Sequence, residues 1–390
     1  MSDDFLPYGR QSVDQSDLDA LARALNSGFL TTGPEIPALE GEFASAVGAP
    51  HAVACNSATA ALHLALAGLG VGPGDVCIVP AVTFLATANA AVYCGADVVF
   101  ADTDPETGLL TADTLKDALH RAGSRARAVL PVHLAGALCD MAAIEPVARA
   151  AGLKIVEDSC HALGTVGPDG QAGACARSDA ATFSFHPVKT IAAGEGGMAT
   201  TRDPALAGRM ARMRSHGVER EAGNFYRFDG RAEPWAYEMQ DLGWNYRIPD
   251  LNAALARSQL ARLPQFAGRR RKLTALYREA LAPLAPLVKA PAVQPGVDAC
   301  RHLMNVAIEF AEAGVSRAVV MERLRARGIG SQVHYVPVSD QPFYVARYGE
   351  TDLPGARAYY EKTLSLPLYP DMEDGDVARV AGALKSALGL

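Results

Sequence analysis

The sequence predicts an α/β protein, built on a mainly parallel seven-stranded sheet and carrying a smaller C-terminal α+β domain. Three observations predict it. From about residue 52 to 201, short β-rich runs alternate with Ala/Leu-rich stretches of helical spacing, the pattern of strands joined by crossover helices. Most of the strand runs are apolar throughout rather than alternating, as strands covered on both faces are. A Pro-rich stretch at 282–295 then marks a boundary ahead of the segment 298–390.

Taken in order, residues 15–26 read as a helix that Ser16 caps and that ends near Gly28, giving an N-terminal arm over 1–30. The large domain follows over 31–250, with strands expected at 52–55, 75–80, 96–101, 128–132, 154–157, 180–185 and 197–200. Between them, 58–69, 86–94, 111–122 and 141–151 carry apolar residues at helical spacing and are long enough for crossovers. Residues 215–249 are rich in aromatic, charged and glycine residues without periodicity, and irregular segments of that length are usually functional, so this one is expected to be a reaching loop. Helical patterns resume at 250–263 and 269–281, so that 251–390 comprises linking helices and the small domain.

Composition excludes several functions. Hydrophobic residues make up 49% and charged residues 20% of 390, enough for a large core and unlike a disordered chain. A net charge of −7 argues against binding bulk nucleic-acid phosphate. The basic run Arg269, Arg270, Arg271, Lys272 is accordingly expected to be a solvated helix face. Seven cysteines without a C-x-x-C pair suggest reduced, buried thiols and no zinc site. The first residues lack the basic flank and apolar stretch of a secretory signal, and no apolar run approaches the ~20 residues of a membrane span. A cytoplasmic protein with no membrane partner is the expectation. Gly70 to Gly74 precede a strand instead of joining strand to helix, so they read as a turn and give a nicotinamide cofactor no support.

Three motifs carry chemistry. Asn56, Ser57, Ala58 and Thr59 stand between a strand and a helix, where free N–H groups and the helix dipole favour an anion such as phosphate. Glu157 and Asp158 end an apolar strand at the carboxyl edge of the sheet, where open α/β sheets place their sites, and alternation sends the two carboxylates to opposite faces. The run 183–190, with His186 and Pro187 ahead of Lys189, puts a lysine directly after an apolar strand, where desolvation lowers an amine's pKa and makes it a usable nucleophile. With Ser184 and the 57–59 turn for a phosphate, Asp158 for a pyridinium nitrogen and Phe84 to stack on a ring, these are the protein parts that pyridoxal phosphate requires.

On these motifs, together with 30–34, 83–90, 243–247 and 333–337, the chain resembles the sugar-nucleotide aminotransferases of the DegT/DnrJ/EryC1/StrS family over nearly its whole length. The runs 8–19, 183–190, 301–303, 332–335 and 364–367 look most like the branch that makes UDP-4-amino-4,6-dideoxy-N-acetyl-β-L-altrosamine for pseudaminic acid biosynthesis. The resemblance implies the fold type I architecture of pyridoxal-phosphate-dependent transferases, as in aspartate aminotransferase. It also implies L-glutamate and a UDP-linked 4-keto-6-deoxy-N-acetyl hexosamine as substrates, with another nucleotide-linked ketosugar (C3 or C4, dTDP or GDP) as the alternative, and a homodimer with shared active sites. Lys189 falls on the lysine that holds the cofactor covalently, Asp158 on the partner of the pyridine nitrogen, and Phe84 on the stacking aromatic. Ser57, Ala58, Thr59 and Ser184 fall on phosphate-binding positions, His161 beside the cofactor, and Asn245 on the asparagine that reaches the phosphate in the neighbouring subunit. The same resemblance sets Arg10, Thr31, Thr32, Gly33, His186, Gln332, His334 and Tyr335 around the substrate. Relatives that act as dehydratases or regulators carry His at the lysine position, and this sequence keeps Lys189. A non-enzymatic binding protein is further opposed by the grouping of Lys189 with Asp158 and Ser184. An amino-acid aminotransferase would need a cationic clamp for the α-carboxylate, and none is assignable.

Overall fold

The computed structural model describes residues 5–227 and 233–390. Residues 1–4 of the expected arm and 228–232 of the expected reaching loop lie outside the described residues. The large sheet has seven strands: β1 (His51–Cys55), β2 (Val76–Pro80), β3 (Asp97–Ala101), β4 (Ala126–Val129), β5 (Lys154–Asp158), β6 (Ala180–Ser184) and β7 (Gly197–Thr201). Their spatial order is β1-β7-β6-β5-β4-β2-β3. The five strands from β6 to β3 pair in parallel, and β7 runs antiparallel to both β6 and β1. Every residue of β2 and β7 is buried, which is why these runs show no apolar/polar alternation.

Crossover helices cover the sheet: α3 (Ala58–Gly68), α4 (Leu85–Tyr93), α5 (Ala112–Ala122) and α6 (Met141–Ala150), with α7 (Pro204–Met213) after the last strand. Helix α3 is wedged between the sheet and both α4 and α7, so its N-terminus is held rigidly at the sheet's carboxyl edge. The chain's first helices, α1 (Gln15–Asn26) and α2 (Glu35–Val47), both pack on α8 (Asp250–Ala261). The long α9 (Leu263–Leu281) leads to a three-stranded antiparallel sheet, Val288–Lys289, Met304–Ile308 and Thr363–Leu366, whose core it shares with the helices Arg317–Ala326 and Asp374–Leu388. The irregular region 215–249 contains only a short ribbon, Val218–Glu219 with Glu238–Met239, and one 3-10 turn among its described residues. No described helix is long and apolar enough to cross a membrane.

Three local expectations change. The cap of α1 is Asp14, in a reciprocal capping box with Asp17, because a carboxylate satisfies the first N–H groups and opposes the helix dipole better than the Ser16 hydroxyl, which bonds to Asp14. Strand β4 spans Ala126–Val129 instead of 128–132, since Pro131 has no N–H to continue the ladder, and Val132 makes only an isolated bridge to Asp158. The basic run is not simply solvated. Arg270 is fully buried, its Nη1 donating to the carbonyls of His302 (3.2 Å) and Leu368 (3.0 Å), because that face of α9 turns inward onto the backbone at 301–302 and 368.

Candidate active site

The carboxyl ends of β2, β4, β5 and β6 open into one cavity of about 650 Å³, closed from the other side by residues 332–336 of the small domain. Alternation along β5 divides its two terminal carboxylates. Asp158 lines this cavity, whereas Glu157 lines a separate cavity of about 780 Å³ on the other face. Asp158 is clamped on both sides: its N–H donates to the Pro131 carbonyl (2.8 Å) and its carbonyl accepts from His133 (3.0 Å). Its carboxylate accepts the Thr87 hydroxyl on Oδ2 (2.7 Å) and the Cys160 N–H on Oδ1 (3.1 Å).

Lys189 follows β6 through a turn in which its N–H donates to the His186 carbonyl (2.8 Å), and it lines the same cavity. Among the described residues no hydrogen bond or ion pair holds its amine. Burial pushes this ammonium down from the ordinary lysine range, opposed by the nearby Asp158 carboxylate. Among the described residues no other lysine and no arginine lines the cavity. His161 and His302 are held well below the usual histidine range by burial and by Lys189, and His334 is pushed down to about 3 for the same reasons. His161 accepts the Ala135 N–H on Nδ1 (3.2 Å), so its neutral ring carries the proton on Nε2 and donates it to the Tyr335 hydroxyl (3.2 Å). The Tyr335 O–H is thereby left to donate elsewhere.

At the cavity's other end, the Ser57 hydroxyl accepts the Ala60 N–H (3.1 Å) and the Ser57 carbonyl accepts that of Ala61 (3.1 Å). The first helical N–H groups, those of Ala58 and Thr59, have no partner within a helix, and both residues line the cavity. Gly197 of β7 makes this approach possible, since a Cβ there would stand 2.4 Å from the Ser57 carbonyl oxygen. Ser184, half-buried at the end of β6, and Phe84, 56% exposed at the N-cap of α4, complete the wall. An unpaired amine, a buried carboxylate, an open aromatic face and a helix N-terminus with free donors form the set that pyridoxal phosphate needs for its carbonyl, ring nitrogen, ring and phosphate, so these residues fit that cofactor.

Of the residues singled out from sequence, Ser57, Ala58, Thr59, Phe84, Asp158, His161, Ser184, His186, Lys189, Gln332, His334 and Tyr335 all line this cavity. The others stand elsewhere. Arg10 pairs with Asp371 and lies over the Tyr369 ring, and Thr31 and Thr32 are exposed on the loop into α2, where the Gly33 N–H donates to Asp250 (2.8 Å). Asn245 is exposed, bridged to Ser215, with its carbonyl toward Asn56. Sequence reasoning gave no role to Thr83, Thr87, His302 or Glu195, although the first three lie in stretches it quoted. The i, i+4 spacing of the two threonines on a helix start was the available signal.

Residues 11–385 match the DegT/DnrJ/EryC1/StrS aminotransferase family. The spore coat polysaccharide biosynthesis protein SpsC of Bacillus subtilis (strain 168) is 40% identical over 385 residues, covering 98% of this chain and 96% of that protein. Among solved structures, the PLP-form of the putative sugar aminotransferase Spr1654 from Streptococcus pneumoniae superposes with a TM-score of 0.89 at 28% identity, covering 99% of each chain. Helicobacter pylori PseC, an aminotransferase involved in the biosynthesis of pseudoaminic acid, gives 0.89 at 26% identity, again over 99% of each chain.

Proposed function

As the chain belongs to the DegT/DnrJ/EryC1/StrS aminotransferase family and is a pyridoxal-phosphate-dependent sugar transaminase, we propose that it moves an amino group from L-glutamate to the C4 keto group of a UDP-linked 4-keto-6-deoxy-N-acetyl hexosamine. The products would be UDP-4-amino-4,6-dideoxy-N-acetyl-β-L-altrosamine and 2-oxoglutarate. The observation that carries the reading is the unpaired Lys189 amine sharing one cavity with Asp158 and the Ala58 and Thr59 N–H groups. The choice of sugar rests on likeness to PseC and SpsC, whose names refer to pseudoaminic acid and to a coat polysaccharide.

When bound, pyridoxal phosphate supplies a carbonyl that carries nitrogen and a ring that withdraws electrons. The protein's own groups do the rest. Lys189 Nζ, whose charged form burial disfavours, would take the proton from the donor's Cα and later deliver one to the sugar's C4. Asp158 holds a proton on the ring nitrogen by its charge. Ala58, Thr59 and Ser184 would bind the phosphate, and Phe84 would cover the ring. A cytoplasmic location is part of the proposal, supported by seven unpaired cysteines.

The working unit would be a homodimer. Tyr226, Trp235, Tyr237, Met239 and Leu242 are each more than half exposed in the irregular region, and Asn245 beside them is exposed and does not line its own chain's cavity. Mixing inactive Lys189→Ala and Asn245→Asp proteins should restore up to about a quarter of wild-type activity, because one site in each mixed dimer is intact. Subunit exchange without recovery would place Asn245 in its own chain's site. The substrate is tested by glutamate-dependent turnover over UDP-, dTDP- and GDP-linked 3- and 4-ketosugars, with product stereochemistry read by NMR. Preference for a dTDP sugar or for amination at C3 would overturn the assignment.

A further inference from the structure

Thr83 and Thr87 are both buried, Thr87 in the first turn of α4 and Thr83 just ahead of that helix; they touch each other, and Thr87 touches the Asp158 carboxylate. Thr87 Oγ1 stands 2.7 Å from Asp158 Oδ2 and 2.8 Å from Thr83 Oγ1. Proton counting fixes the direction of this chain. An ionised carboxylate only accepts, so the single Thr87 hydroxyl proton goes to Asp158, and Thr83 must then be the donor to Thr87. The two hydroxyls form a one-way relay of donors that ends on the carboxylate, and each bond polarises the next.

We propose that Thr87, backed by Thr83, is a positioning residue that holds the Asp158 carboxylate aimed at the cofactor's ring nitrogen; this rests on the reading of Asp158 as the nitrogen's partner. The physical need is plain. Asp158 is 6% exposed, so its oxygens need donors from the protein, and where those donors stand sets the direction in which the carboxylate points. Cys160 supplies its other contacts, the N–H on Oδ1 at 3.1 Å and the neighbouring thiol. The Cys160 thiol, pushed well above the usual range by burial and by Asp158, stays neutral beside it. With Thr87 on Oδ2 and Cys160 N–H on Oδ1, the carboxylate cannot swing, and its remaining lone pairs are left for the ring.

The test compares the affinity of the cofactor-free protein for pyridoxal phosphate and for a deaza analogue in which C–H replaces the ring nitrogen, using the holoenzyme's absorbance to follow binding. Thr87→Val, which keeps the shape and removes the hydroxyl, should weaken pyridoxal phosphate about tenfold, as expected for a lost hydrogen bond to a charged group, and leave the analogue unchanged. Thr87→Ser should restore wild-type affinity. Thr83→Val, which leaves Thr87 in place, should give the same nitrogen-dependent pattern at about threefold and serves if Thr87→Val does not fold. Equal weakening for both ligands, or none for either, would overturn the proposal and leave these threonines as helix packing. Asp158→Asn separates the two levels. If its loss is also independent of the ring nitrogen, the reading of Asp158 fails, and the proposal with it. If Asp158→Asn shows a nitrogen-dependent loss and the threonine variants do not, the relay alone is wrong.

Discussion

The two faces of β5 carry neighbouring carboxylates into opposite fates. Glu157 meets His133 at 2.7 Å, and the Cys139 N–H donates to the other imidazole nitrogen (3.1 Å), which fixes the ring proton on the side of Glu157. On this face donors and acceptors are matched. One residue on, Asp158 shares its cavity with an amine that has no partner, an uncovered aromatic ring and two unused N–H groups. The same strand and the same chemistry thus give a closed polar pair on one side and an open set on the other. An unsatisfied buried group is costly to a chain that gains nothing from it, so the open face is where a ligand is to be sought.

The comparison breaks first at the lysine. Lys189→Ala should lower transamination by about a thousandfold or more, since both covalent attachment and proton transfer depend on one amine. The borohydride-sensitive yellow absorbance should vanish while the circular dichroism of the fold persists. A covalent cofactor adduct surviving in this variant would mean that another lysine does the work.

Exchanging the two carboxylates in turn sharpens the contrast. Asp158→Asn should still bind cofactor but lose about a hundredfold in turnover, because an amide cannot hold the ring nitrogen's proton by charge. Glu157→Gln should leave turnover within about twofold and instead lower unfolding stability by about 1–2 kcal/mol, the cost of weakening a buried hydrogen bond to a charged group. Steady-state kinetics beside urea denaturation would decide this. The reverse pattern would mean that the site faces the 780 Å³ cavity.

Much of this was legible in the sequence, for physical reasons that also mark where legibility ends. Strands buried on both faces announce themselves by uniform apolarity, and Val76–Pro80 and Gly197–Thr201 fall within a residue of their expected bounds. The opposite orientation of Glu157 and Asp158 follows from strand period alone, and the structure obeys it. Contacts made across the fold leave no local trace. Thr87 reaches Asp158 across 71 positions, and His302 stands against His161 (4.6 Å between ring centres), a contact that nothing within 301–303 shows. Arg270 misled for a related reason: a run of four basic residues looks solvated, yet helical period turns one of them into the interior.

The smallest effect concerns acid and again separates the faces. His161, His302 and His334 on the cavity face are buried neutral, with His334 at about 3, and His63 near the phosphate turn is pushed to about 4 by burial. Each has a folded value below its unfolded value of about 6.5. Below pH 6.5 the unfolded chain therefore binds protons that the folded chain refuses, so stability is fully present above that pH and is lost as pH falls toward the folded values. Each histidine adds at most ~1.4 kcal/mol per pH unit to the slope. Between pH 6.5 and 5, above most carboxylate titration, unfolding free energy of the cofactor-free protein should fall steadily. His334→Gln should make that slope shallower by up to the share of one histidine, since Gln can keep a bond to the Ser365 hydroxyl, which His334 Nδ1 meets at 2.8 Å. An unchanged slope would mean that His334 takes up its proton in the folded state. The cavity would then gain a positive charge from His334, and the contrast between its open set of groups and the closed polar pair of Glu157 and His133 would be blurred.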